Sequence, residues 1–112
     1  MIKKVLIAYG GEAATQLVLE FTRSNVRTVA VYTQQDSNSE HIRLAHESFC
    51  IGRTLKSYHT DWHRLISAAE LTEVDAIHAG DSPLATDERF AEVCTEIGVQ
   101  LIGRKSEQGD SA

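Results

Sequence analysis

Five short apolar runs alternate with amphipathic stretches along this chain, and that alternation constrains the fold more than any other feature. The runs are "IKKVLIA" (2–8), "RTVAVYT" (27–33), "ESFCIG" (47–52), "VDAIHAG" (74–80) and "VQLIG" (99–103). The first and second carry nearly unbroken aliphatic or β-branched residues, as strands covered on both faces do. Between them, "EAATQLVLEFTRSN" spaces Ala14, Leu17, Val18 and Phe21 for one helical face, with Asn25 as its stop. "WHRLISAAELTE" does the same with Trp62, Leu65, Ile66 and Ala69, and "ERFAEVCTEIG" with Phe90, Val93, Cys94 and Ile97. A shorter helix carries Ile42, Leu44 and Ala45. Helix starts are expected at Ser37, Asn38 or Ser39, at Thr60 or Asp61, and at Thr86 or Asp87; Gly98 ends the last helix. Strands alternating with helices predict an α/β chain: a five-stranded parallel sheet with right-handed crossovers, sandwiched between helices in three layers.

Length and charge narrow the function. The 112 residues make one domain, expected over 1–103, followed by a polar tail, "RKSEQGDSA", over 104–112. A net charge of -5 with scattered basic residues argues against a nucleic-acid partner, which needs clustered Lys and Arg. No run approaches the roughly 18 apolar residues of a membrane span. "MIKKVLIAYGG" superficially mimics a signal peptide, but its apolar run is short and enters a turn and a helix without a cleavage site, so it reads as a buried strand. Cys50 and Cys94 have no CxxC or metal-type spacing and read as buried thiols, although one disulfide stays open. The expected location is cytoplasmic.

Several residues invite a chemical reading. "AYGGEAA" sits where a phosphate loop would lie, but Gly10 and Gly11 are adjacent, so neither GxGxxG nor GxxxxGK[ST] is present. A helix start there can favour an anion, and two glycines also suffice for a tight turn, with Glu12 suited to the helix dipole. His59 and His63, four apart, match a metal pair or two surface histidines; His41 and His46, five apart, fit less well. No metal site is expected. His78 ends the fourth strand, where parallel sheets place ligands, so His78, Asp81 and Ser82 are the best local contacts. Ser82 lacks the G-x-S-x-G elbow, which leaves a catalytic triad unsupported, and a packed His beside a Pro-containing turn is the alternative.

The order "KVLIAYGGEAA", "RTVAVYTQQDSNSEHIRLAHESFCIG", "KSYHTDWHRLISAAELTEVDAIHAG", "FAEVCTEIGVQLIGRK" resembles the N-terminal, pre-ATP-grasp domain of biotin carboxylase. That domain occurs in acetyl-CoA, propionyl-CoA and pyruvate carboxylases, and the resemblance covers residues 2 to about 105. It implies a Rossmann-like α/β/α sandwich, in agreement with the pattern. The family's first turn, Asn-Arg-Gly-Glu-Ile-Ala, is Tyr9, Gly10, Gly11, Glu12, Ala13, Ala14 here, without the Arg. Its loop His-Pro-Gly-Tyr-Gly-Phe-Leu-Ser-Glu-Asn is His78, Ala79, Gly80, Asp81, Ser82, Pro83, Leu84, Ala85, Thr86, Asp87, without the Tyr or second Gly. The resemblance implies that Gly10, Gly11, Glu12, His78, Gly80, Asp81 and Ser82 border a cleft facing the ATP-grasp domains. Family dimers use the exposed face of the first helix, here Gln16, Leu19 and Arg23, a candidate partner face. The family's groups that grip ATP, magnesium, bicarbonate and biotin lie in domains that follow.

The expectation is therefore a stand-alone module without catalysis of its own, accessory to a biotin-dependent carboxylase system. It would bind no cofactor alone; biotin and MgATP enter only when a partner completes it. Its expected partners are ATP-grasp or biotin-carrier components, or a second copy. The rivals are a fragment of a working biotin carboxylase completed by a separate ATP-grasp chain, and a small-ligand or nucleotide binder.

Overall fold

The computed structural model describes residues 2–9, 11–33, 40–52, 62–80 and 83–103. Five strands, β1 (Lys4–Ile7), β2 (Arg27–Thr33), β3 (Glu47–Gly52), β4 (Ala76–Gly80) and β5 (Gln100–Gly103), alternate with helices α1 (Gly11–Arg23), α2 (Glu40–Leu44), α3 (His63–Thr72) and α4 (Glu88–Glu96). A 3-10 turn, Pro83–Thr86, precedes α4. All pairings are parallel and the strand order is β3-β2-β1-β4-β5. The fold is thus the expected five-stranded parallel α/β sheet, with β1, β4 and β5 shorter than their apolar runs.

The side-chain period of two sends alternate strand residues to opposite faces. Leu6, Ala8, Val29, Val31, Ile77 and Ala79 meet α3 and α4 through Leu65, Ile66, Ala69, Phe90 and Cys94, forming the larger core. Ile7 faces the other way, onto Ala14 and Val18 of α1, with Leu17, Phe21 and Ala45 around them. The helices end as their sequences dictate. Asn25 takes the left-handed φ of 65° beyond α1, and Gly98 does so at 79° beyond α4. The Asp87 carboxylate accepts the Arg89 and Phe90 N–H groups at 3.0 and 3.1 Å, which is the expected α4 cap.

The helix α2 carries Ile42 and Leu44 as expected and ends before Ala45, which packs on the smaller core; its buried residue is His41, whose Nε2 lies 3.2 Å from the Val31 carbonyl, while Leu44 is exposed. Two expectations are corrected. The residue capping α3 is Trp62, which makes no side-chain cap bond but packs edge-on to Phe90 at 5.3 Å. The alternatives Thr60 and Asp61, like Ser37, Asn38, Ser39 and residues 104–112, lie outside the described residues. Finally, only Cys94 is buried; Cys50 is exposed on the edge strand β3.

At the opposite end from the helix starts, the Asp75 carboxylate accepts the Lys3 and Lys4 N–H groups at 2.8 and 2.9 Å, fastening β1 to the entry of β4. Lys4 pairs with Glu47 across the sheet. No described helix is long and apolar enough to cross a membrane.

Candidate functional site at the strand switch point

The chain runs outward from β1 to β2 to β3, then returns to lay β4 on the other side of β1. Strand order reverses between β1 and β4, and the crevice beyond the carboxyl ends of those two strands is where such sheets bind ligands. The residues there are Tyr9 just after β1, and His78 and Gly80 ending β4.

These three are interlocked. Gly80 has φ +62°, the left-handed region that favours glycine, and the Tyr9 ring lies on it so closely that a Cβ would sit 2.6 Å from the ring. The Tyr9 hydroxyl is 3.5 Å from His78 Nδ1, and the rings are tilted at 50° with centroids 5.9 Å apart. Phe21 of α1 meets the imidazole edge-on, at 6.2 Å. The Gly80 N–H donates to His78 Nδ1 at 3.2 Å. A backbone N–H can only donate, so Nδ1 is the lone-pair nitrogen and the proton of the neutral ring sits on Nε2.

The other sequence candidates distribute as follows. Gly11 opens α1 and Glu12 occupies its exposed first turn, suited to the helix dipole. Gln16, Leu19 and Arg23 are all exposed on α1, Leu19 by 43%. Gly10, Asp81, Ser82 and His59 lie outside the described residues. His63 begins α3 and stacks on Trp62 at 4.7 Å, and among the described residues no group of three His, Cys, Asp or Glu side chains could hold a metal ion. His46 Nδ1 accepts the Thr28 N–H at 3.1 Å, a fastening of β3 to β2. Sequence reasoning missed two members of the crevice, Tyr9 and Phe21. The signal for Tyr9 was its place, one turn beyond a buried strand and opposite the end of another; Phe21 reads equally well as plain core.

The profile of the family described as biotin carboxylase, N-terminal domain matches residues 1–108. The chain belongs to that family. It is 40% identical over 104 residues to biotin carboxylase 1 of Bacillus subtilis, a match covering 92% of this chain and 23% of that protein. To the mitochondrial pyruvate carboxylase of Homo sapiens it is 37% identical over 108 residues, 95% of this chain and 9% of the relative. The crystal structure of a biotin carboxylase complex with β,γ-ATP from Campylobacter jejuni superposes with a TM-score of 0.86 at 28% identity, covering 90% of this chain and 23% of that one. The chain thus spans less than a quarter of the biotin carboxylases it matches. Within this biotin carboxylase N-terminal domain, Tyr9, His78 and Gly80 meet at the crevice between β1 and β4, with Phe21 edge-on to the imidazole.

Proposed function

We propose that this domain serves as an interaction module of a biotin-dependent carboxylase system, lending its switch-point crevice as one wall of a cleft that other carboxylase parts complete. The observation that carries this reading is the match to the biotin carboxylase N-terminal domain over residues 1–108, with 40% identity to a biotin carboxylase. The crevice chemistry supports it. Tyr9, His78 and Gly80 pack on one another, with the Gly80 N–H given to His78 Nδ1. A phosphate approaching the Gly80 backbone would also meet the Tyr9 ring. Biotin and MgATP, the ligands of a complete carboxylase, would be gripped by the partner, with this domain supplying one wall.

The test is the native size of the protein in a gentle lysate of its source, by size exclusion with mass spectrometry of co-eluting chains. Co-elution with an ATP-grasp or biotin-carrier chain is expected. Elution near 12.4 kDa without a partner, or ATP-dependent carboxylation of free biotin by the purified chain alone, would overturn the proposal.

A further inference from the structure

The starts of α3 and α4 meet at the carboxyl end of the sheet. Each helix follows a strand, β3 or β4, and both pack on the face that carries the larger core. Trp62, at the start of α3, ties them together by lying edge-on to Phe90 of α4 at 5.3 Å. Between the two starts is a hollow of about 220 Å³, lined among the described residues by Trp62, His63, Asp87 and Arg89. None of these side chains belongs to the crevice at the β1–β4 seam, whose helix contact is Phe21 of α1.

On the α4 side, Asp87 accepts the Arg89 and Phe90 N–H groups at 3.0 and 3.1 Å, both through Oδ1. Arg89 is exposed and joins no ion pair among the described residues, which pair only Lys4 and Arg27 with Glu47. A guanidinium and a carboxylate thus share one hollow without meeting, because the cap holds the carboxylate on the backbone. On the α3 side, Trp62 occupies a helix start, where short polar side chains are favoured, and makes no cap bond. Its ring instead stacks on His63, with centroids 4.7 Å apart and planes 19° from parallel, and it stays half-buried. One wall is therefore aromatic and the other carries an unpaired guanidinium.

We propose that this hollow is a binding site for a small aromatic monocarboxylate. A guanidinium takes a carboxylate through two parallel N–H···O bonds, and aromatic side chains such as the Trp62–His63 pair take a ring by offset or edge-on contact. The volume limits the ligand to about a single ring, since drug-sized ligands fill roughly 300–1,000 Å³. Asp87 sets the charge. A dianion such as phosphate would bring its second charge against the Asp87 carboxylate, whereas a monocarboxylate keeps its one charge at Arg89 and turns an uncharged body to the rest of the hollow. The site goes beyond the module reading and does not depend on it.

The experiment is a titration of the purified chain with sodium benzoate, followed by the fluorescence of Trp62, the chain's one tryptophan, and by amide NMR. A saturable change in emission with a Kd of about 1 mM is expected, with shifts centred on His63, Asp87 and Arg89. Acetate, which lacks the ring, and inorganic phosphate should each bind at least about tenfold more weakly. Arg89→Gln should weaken benzoate about tenfold or more by removing a charge-assisted pair, and should leave the urea midpoint unchanged because the side chain is exposed and in no ion pair. Arg89→Lys should recover only part of the loss, because an ammonium lacks the planar fork. No saturation by about 20 mM benzoate, far above the expected Kd, would overturn the assignment. So would an unchanged affinity in Arg89→Gln, phosphate bound as tightly as benzoate, or shifts centred on Tyr9, His78 and Gly80. Carboxylase components co-eluting with a protein that ignores benzoate would remove the site and leave the module reading standing; benzoate binding by a protein without partners would do the reverse.

Discussion

Three glycines separate the two reasons a position can demand glycine, and they make a quantitative test of the crevice. Gly98 has φ +79° and open space around a would-be Cβ; Gly103 has no positive φ, but its Cβ would lie 2.7 Å from that of Ala85; Gly80 has both a φ of +62° and the Tyr9 ring at 2.6 Å. Gly98→Ala should therefore show the conformational term alone, about 1 kcal/mol. Gly80→Ala adds an overpacking term of about 1–3 kcal/mol, for a total of about 2–4 kcal/mol. If the Tyr9 ring is the obstacle, removing it must relieve the added term. In a Tyr9→Ala background, Gly80→Ala should fall back to about 1 kcal/mol, a coupling of at least about 1 kcal/mol between positions in direct contact. Urea unfolding followed through Trp62, the chain's one tryptophan and packed edge-on to Phe90, reads all four variants. A Gly80→Ala cost within about half a kcal/mol of Gly98→Ala would refute the reasoning, because coupling of neighbours exceeds that error. So would an unchanged cost after Tyr9→Ala.

Further outcomes follow from other contacts. Asp87→Ala removes the α4 cap and should destabilise by about 1 kcal/mol in the same assay, while Asp87→Asn retains most of it. A thiol reagent should modify Cys50 quickly and Cys94 only on unfolding, since Cys50 is exposed and Cys94 buried; two fast thiols would contradict the core packing. Burial pushes the Cys94 thiol up to about 11 from 9.0. Its protonated form therefore stabilises the fold fully below pH 9, and that contribution is lost as pH rises from 9 through 11, because the unfolded thiol ionises first. The loss should reach about 3 kcal/mol at two pH units of separation. Urea midpoints at pH 7.5, 9 and 10.5 should thus decline in the wild type more than in Cys94→Ala; parallel declines would refute it.

What the sequence revealed and what it concealed divide along a physical line. Val5–Ile7 and Val29–Val31 declared themselves as buried strands because a fully covered strand must be apolar on both faces. Asn25, Asp87 and Gly98 marked helix ends because a cap is chosen by groups within a turn of it. These are local causes. The exposure of Cys50 instead depends on β3 being an edge, which is a property of strand order and has no trace in "ESFCIG". His41 looks polar in sequence and is buried because the Val31 carbonyl meets its Nε2. His78 and Gly80 were legible as the end of a strand, but the Tyr9 ring that covers them comes from the far end of the chain. The resemblance to biotin carboxylase located the loop; only the fold showed which side chain fills it.

The central position of β1 has a consequence for how the domain assembles. β1 is made first, yet it needs two neighbours: β2, where Val5 meets Thr28, and β4, where Val5 meets Ala76. Lys4 and the Asp75 carboxylate that holds it are 71 residues apart. Closing that loop rather than the β1–β2 loop, roughly a third as long, costs about 1 kcal/mol more in chain entropy. The nascent chain accordingly joins β1, α1 and β2 while β4 is still to come, and the seam between β1 and β4 closes late. Tyr9 meets Gly80 and His78 only across that seam. The crevice is thus a product of the final docking event, and any step that delays β4 leaves a largely formed sheet that carries no site.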